Sequence, residues 1–187
     1  MVLRHPQADR GHDLYETPEC ATTALLDVEW LPHTLWEPAC GRGAIVRVLR
    51  ARGHEVLSTD LIDYASPDQD FGETNFLAES LPWAGVDAIV TNPPFSLAAP
   101  FIRHAISLVP KVCMLLRLAF LEGSSRSDIL DGGQLARVHI FRNRLMHRDG
   151  WEGPRNTNTT AFAWFVFDRS HRGAATINRI TWKKDSV

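Results

Sequence analysis

Apolar positions along this chain gather in short dense runs, and the spacing between the runs alternates. Thr34-Leu35-Trp36-Glu37, Glu55-Val56-Leu57-Ser58-Thr59, Asp87-Ala88-Ile89-Val90-Thr91 and the stretch from Lys111 to Leu118 have the length and composition of buried strands. Between them the pattern changes to the helical period. Ile45, Val46 and Leu49 share one face of a segment from Ala44 to Arg52, which Gly53 stops. Leu97 to Leu108 predicts another helix. Thr17-Pro18-Glu19 has the grammar of a helix start, with Thr as N-cap and Pro in the first turn, and the helix runs to about Leu26. Alternation of strand, helix and strand predicts an α/β domain, its parallel sheet covered on both faces.

The pattern loosens elsewhere. Tyr64 to Thr74 is polar and loop-like, and Phe76-Leu77 predicts a short strand or bridge. Gly123 to Gln134 predicts a loop with a short helix. Val138 to Phe141 and Ala161 to Phe167 predict two strands, the second fully buried, so Trp164 and Phe165 are expected in the core. Arg142 to Thr160 joins them, which is long for a connection and dense in arginine. Met1 to His12 is expected to be a mobile polar arm, and residues 13–187 a single domain carrying an Arg-rich insertion at about 142–160.

Composition narrows the classes. At 44% hydrophobic and 22% charged, the 187 residues fit a soluble globular protein. No apolar run is long enough to span a membrane, and the start lacks the apolar centre of a signal peptide. Cys20, Cys40 and Cys113 have no metal-ligand spacing, so a reduced cytoplasmic setting and no metal site are expected. Charge is unevenly distributed: residues 1–100 carry −9 and residues 101–187 carry +7. The basic half suits a polyanionic partner, and a mixed solvated surface would also give some imbalance.

Two segments carry candidate chemistry. The strand ending at Thr91 runs into Asn92-Pro93-Pro94-Phe95. Neither proline can donate to a sheet ladder, so the chain must leave the sheet here in a stiff conformation. Asn92 and the Pro93 carbonyl offer two fixed acceptors beside an aromatic ring, which suits a planar base with an exocyclic amine. Glu37-Pro38-Ala39-Cys40-Gly41-Arg42-Gly43 sits between strand and helix, where glycines permit close approach of a ligand. It is not a full dinucleotide fingerprint, because Val46 stands where the third glycine would fall, and no Gly-Lys-Ser/Thr phosphate loop is present. Asp60 closes the second strand, placed either to accept ribose hydroxyls or to cap the next turn. Glu37 could face a ligand's ammonium or be structural.

Taken in order, Glu37 to Gly43, Asp60 and Asn92 to Phe95 resemble motifs I, II and IV of the S-adenosylmethionine-dependent adenine-N6 methyltransferases. Leu14-Tyr15-Glu16-Thr17-Pro18 resembles their motif X, ahead of motif I as in the gamma-type order. The likeness is strongest to the short phage- and prophage-type DNA adenine methylases, which also have runs similar to Trp151 to Pro154 and Ala163 to Asp168. It implies a Rossmann-like class I methyltransferase fold with an antiparallel C-terminal strand, and S-adenosylmethionine as methyl donor. Tyr15, Thr17 and Pro18 would meet its methionine end, and Gly41 and Gly43, with Pro38 and Cys40 in the same loop, its sulfonium side. Asp60, followed by Leu61, would hold the ribose, and Asn75 and Phe76 would flank the adenine. The family often has an acid where Asn75 stands, which makes Asp70-Phe71 a competing candidate. Asn92, Pro93, Pro94 and Phe95 would form the catalytic turn, Asn92 also bordering the cofactor. Arg142, Arg144, Arg148 and Arg155 could hold DNA phosphates, and Trp151 could stack or wedge.

No room is expected for a target-recognition domain of ordinary size, so specificity is expected either to be low or to come from a partner subunit or self-association. RNA base amines, protein glutamine, or a non-catalytic role in binding cofactor or nucleic acid are the alternative readings.

Overall fold

The computed structural model describes residues 16–80, 85–145 and 160–183. Helix α1 spans Glu19–Leu26, strand β1 Thr34–Glu37, α2 Ala44–Ala51, β2 Glu55–Ser58, β3 Ala88–Thr91, α3 Ala98–Leu108, β4 Lys111–Arg117, α4 Ser127–Leu130, β5 Leu135–Phe141, β6 Phe162–Asp168 and β7 Thr176–Ile180. All seven strands form one sheet in the order β2-β1-β3-β4-β6-β5-β7. Only β6 runs against its neighbours, antiparallel to both β4 and β5. This is the reversed strand expected near the C-terminus, in the mostly parallel sheet that the strand–helix alternation predicts.

The sheet has an apolar layer on each face. On one, Ala21, Leu25, Ile45 and Leu49 from α1 and α2 pack on Leu35, Cys113, Leu115 and Trp164. On the other, Phe101, Ile102 and Ala105 of α3 and Ile129 of α4 pack on Trp36, Ile89, Met114 and Phe165. Strand β6 is buried on both faces, with Trp164 and Phe165 fully so. Each such side chain contributes roughly 1.5–3 kcal/mol by leaving water. The Trp164 indole N–H donates to the Ala21 carbonyl at 2.9 Å, pinning α1 to the sheet.

Several expectations need correction. Pro18, not Thr17, stands at the cap of α1, and no side chain caps it; the Thr17 hydroxyl has another partner, described below. Phe76 and Leu77 form no strand or bridge but a 3-10 turn, Phe76–Ala78, capped by Asn75. The one isolated bridge among the described residues joins Thr59 to Phe71. A 3-10 turn over Phe95–Leu97 precedes α3, and β5 begins three residues before the expected Val138. Strand β7 is unanticipated. Four of its five residues are exposed, so no apolar pattern marks it. No described helix is long and apolar enough to cross a membrane.

From β1 the chain moves to β2 on one side, and from β3 to β4 on the other. The switch of direction therefore lies between β1 and β3, and in open α/β sheets the crevice at the strands' carboxyl ends beside such a switch binds ligands.

Candidate active site

Both sequence segments with candidate chemistry emerge at this switch. Glu37 is the last residue of β1 and Thr91 the last of β3, so the glycine loop and the Asn-Pro-Pro turn leave the same edge side by side. Asn92 donates from its side-chain nitrogen to the Thr17 hydroxyl at 3.1 Å. That contact joins residues 75 positions apart and ties the segment entering α1 to the turn after β3. Thr17 is buried, and Asn92 half-buried. Pro93 is buried and Pro94 half-buried.

Glu37 is only 1% exposed, and its Oε2 has no hydrogen-bond partner. Burial pushes its carboxyl well above the ordinary value, and the nearby Asp60 charge adds to the effect. A buried acceptor left without a partner in the candidate crevice is a costly feature for a structural residue.

The glycine loop is built for its neighbours. Gly41 takes φ +53° and Gly43 φ +86°, the left-handed region that glycine tolerates. The Gly41 N–H donates to Asp60 Oδ2 at 2.9 Å, fixing the carboxylate across the two strand ends. A Cβ at Gly43 would lie 2.2 Å from the Asp68 Cβ. Asp68 in turn accepts from Arg47 at 3.0 Å, so the loop after β2 clamps the start of α2. Cys40 is buried beside them with Pro38, and burial plus the Glu37 and Asp60 charges drives its thiol far up in pKa, unsuited to nucleophilic work.

Asp60 caps the next turn, the local role that the sequence left open for it. Its Oδ1 accepts from the Ile62 N–H at 3.0 Å, a local turn cap, while the half-buried carboxylate stays at the crevice rim. Leu61 beside it is 58% exposed.

The adenine-flanking candidates separate. Phe76 is 2% exposed, boxed by Trp36, Phe101 and His104 at ring distances of 4.8–5.2 Å. Asn75 is exposed and its Oδ1 accepts from the Leu77 N–H. Asp70 binds Arg50 and the Ser58 hydroxyl and N–H, whereas Phe71 is 47% exposed.

Phe95 is half-buried. Its ring lies 5.9 Å from that of Phe162, and the Arg117 guanidinium carbon stands 4.2 Å from its centroid. Sequence reading missed Arg117, which is simply the last residue of an apolar strand. Its cross-strand pairing with Phe162 is set by β6, whose register no local pattern reveals. Arg142 and Arg144 are exposed just past the carboxyl end of β5, at the same edge. Tyr15, Arg148, Trp151 and Arg155 lie outside the described residues, as do the N-terminal arm and most of the Arg-rich insertion.

No described protein family matches the chain, and no curated protein does. Solved structures do. A methyltransferase subunit of a type I restriction-modification system from Streptococcus thermophilus superposes with a TM-score of 0.57 at 15% identity, over 84% of this chain and 45% of that one. A protein from Listeria monocytogenes, provisionally assigned as a class I S-adenosylmethionine-dependent methyltransferase, gives 0.63 at 12%, over 96% and 71%. A 23S ribosomal RNA methyltransferase gives 0.53 at 16%, over 84% and 70%. The fold is that of the class I methyltransferases. The chain spans less than half the length of the type I subunit.

Proposed function

We propose that this protein transfers a methyl group from S-adenosylmethionine to the N6 amine of an adenine flipped out of DNA. The observation that carries the reading is the Asn92–Thr17 hydrogen bond at the sheet's switch point, beside the Glu37 carboxyl whose Oε2 has no partner. An asparagine held by its nitrogen turns its carbonyl end away from Thr17. That oxygen and the Pro93 carbonyl are then the two acceptors for the two N–H bonds of an exocyclic amine.

The crevice residues fit the methyl donor. Glu37 would meet its ammonium group, which would offset the cost of ionising a buried carboxyl. Gly41 and Gly43 bring backbone close to its sulfonium side, Asp60 would accept the ribose hydroxyls, and Leu61 or Phe71 is exposed for its adenine. Thr17 with Pro18 and Tyr15 would close over the methionine end. When bound, the donor supplies an electrophilic methyl group.

The chain's own residues do the rest. An aromatic amine is a poor nucleophile because its lone pair is delocalised into the ring. Hydrogen bonds to Asn92 and Pro93 favour a pyramidal nitrogen and stabilise the charge that grows on it, and the stiff prolines hold both acceptors in advance. Phe95 would stack on the base, worth roughly 1–3 kcal/mol. A paired base cannot reach this edge, so it must leave the duplex. Displacement at the methyl group needs no covalent intermediate, in keeping with the inert Cys40. Arg142 and Arg144, with Arg148, Arg155 and Trp151, would hold the nucleic acid, and a partner subunit or second copy would supply sequence specificity. The type I modification subunit among the structural relatives supports DNA, and the ribosomal RNA methyltransferase keeps RNA amines as the second reading.

Incubation with tritiated S-adenosylmethionine and, in parallel, duplex DNA, single-stranded DNA, ribosomal RNA and total protein tests this. Label recovered as N6-methyladenine from DNA is expected. Label in an RNA base or in glutamine moves the substrate, and donor binding without transfer to any of them overturns the catalytic reading.

A further inference from the structure

Arg117 is the last residue of β4, at the same carboxyl edge as Asn92. Five other arginines are committed: Arg47, Arg50, Arg52, Arg103 and Arg137 each reach a carboxylate at 2.6–3.2 Å. Among the described residues Arg117 makes no ion pair and no side-chain hydrogen bond. Its exposed side chain has one recorded contact, the face of Phe95, at 4.2 Å. Strand register explains how it gets there. Arg117 lies directly opposite Phe162 across β4 and β6, so both side chains leave the sheet on one face, and Phe162 braces the Phe95 ring that Arg117 covers. A guanidinium is flat, delocalised and weakly hydrated, which is why it stacks on aromatic rings as a heterocyclic base does.

We infer that Arg117 is a placeholder for the substrate base: it covers the Phe95 face that the flipped adenine would take, gives up that face when the base stacks there, and turns its charge to the adjoining phosphate. This rests on the methyltransferase reading above. Two opposite effects follow from one side chain. Arg117 competes with the base for Phe95, and it attracts the backbone that carries the base.

Uniform single strands separate the two effects without knowledge of a recognition sequence. Binding of a dA 12-mer and of an all-abasic 12-mer with identical phosphates is measured by fluorescence anisotropy across salt concentrations, with S-adenosylhomocysteine present. The variants are Arg117→Gln, nearly the same length but uncharged, and Arg117→Lys, charged but not flat. Thermal melting confirms that each is folded. Arg117→Gln is expected to weaken abasic binding and flatten its salt slope by about one. It is also expected to raise the preference for dA over abasic roughly two- to fivefold, because the competitor is gone. Arg117→Lys keeps the salt slope and shares the raised preference. Unchanged binding of both strands by Arg117→Gln removes Arg117 from the interface and overturns the inference. A reduced dA preference overturns it too, since Arg117 would then be a fixed second stacking wall. Tritium transfer by the wild-type protein is run alongside. Transfer to DNA without the Arg117 effects defeats this inference alone, whereas transfer to none of the substrates defeats the underlying reading.

Discussion

The sheet buries a glutamate at each of its two edges, and the two are treated in opposite ways. At the amino edge Glu29 is 7% exposed and surrounded by cations. Arg137 donates to both its oxygens at 2.8 Å, Lys111 stands at 2.7 Å and His139 Nε2 at 3.0 Å. Burial alone would raise its pKa, but the hydrogen bonds from His139, Arg137 and Lys111 prevail and hold it at about 2. At the carboxyl edge Glu37 is equally hidden, has an oxygen with no partner, and is pushed the other way. One carboxyl fastens the loop after α1 to the starts of β4 and β5. The other has an oxygen without a partner, and burial works against its ionised form. The contrast teaches that burial does not by itself mark a functional acid. What distinguishes the two is whether the fold has already supplied the partner.

Removing Glu29 should have the largest effect. Glu29→Ala removes the buried carboxylate shared by the half-buried Lys111 and Arg137, leaving Arg137 only Asp168 at 4.0 Å, and should cost about 3–5 kcal/mol, seen as a fall of roughly 6–20 °C in melting temperature. The sign of its pH dependence follows from the depressed pKa. Above the ordinary value of 4.5 its stabilisation is complete, and it is lost as pH falls from 4.5 towards about 2. Denaturant titrations across that range should show the loss in wild type and not in the variant. Activity per folded molecule should be unchanged, and a lost activity with intact stability would reverse the roles of the two edges.

Asn92→Ala should leave stability nearly untouched. Transfer should drop by about a hundred- to a thousandfold, while donor binding by calorimetry persists. If binding disappears as well, Asn92 belongs to the donor site rather than to the amine.

Glu37→Gln sharpens the comparison most directly. With its folded pKa raised, wild-type Glu37 penalises folding as pH rises above 4.5, where the unfolded carboxyl ionises and the folded one resists. Glutamine cannot ionise, so the variant should have a higher urea midpoint than wild type at neutral pH. Donor affinity should fall about tenfold, the order expected for a lost charge-assisted hydrogen bond. A variant that is destabilised instead would make Glu37 a second Glu29.

The smallest effect is expected from the exposed pair after β5. Arg142→Gln with Arg144→Gln should reduce the salt slope of DNA binding by about two without altering stability. An unchanged slope removes this end of the insertion from the interface.

What could be read from the chain depended on how local its cause was. Strand β1 was legible to the residue, because a short apolar run meets a glycine loop, and β3 was legible because two prolines end it. The fully buried β6 announced itself as an unbroken apolar run. Strand β7 was hidden because it joins the sheet through backbone pairing with β5 while presenting exposed side chains. For Phe76 the family resemblance implied a place beside the cofactor's adenine, and only the tertiary packing of Trp36 and Phe101 shows its ring boxed into the core. Thr17 resembled a helix cap in sequence, yet its hydroxyl serves a partner 75 residues away that no local rule could supply. Arg117 was invisible for the same reason: its meaning lies in a register shared with β6 and a ring on another turn.

The reversal of β6 has a consequence for variation. Because it runs against β5, the segment between Leu145 and Thr160 starts and finishes at one rim of the sheet, next to the Asn-Pro-Pro turn. Residues added between these two anchors lie outside every strand pairing among the described residues. Doubling the length of such an insertion costs only about 0.6 kcal/mol in closure entropy. The architecture thus separates what must stay constant from what can be rewritten. Length in this connection is therefore cheap, whereas the register on either side of it is fixed by the pairing of β6 with β4 and β5.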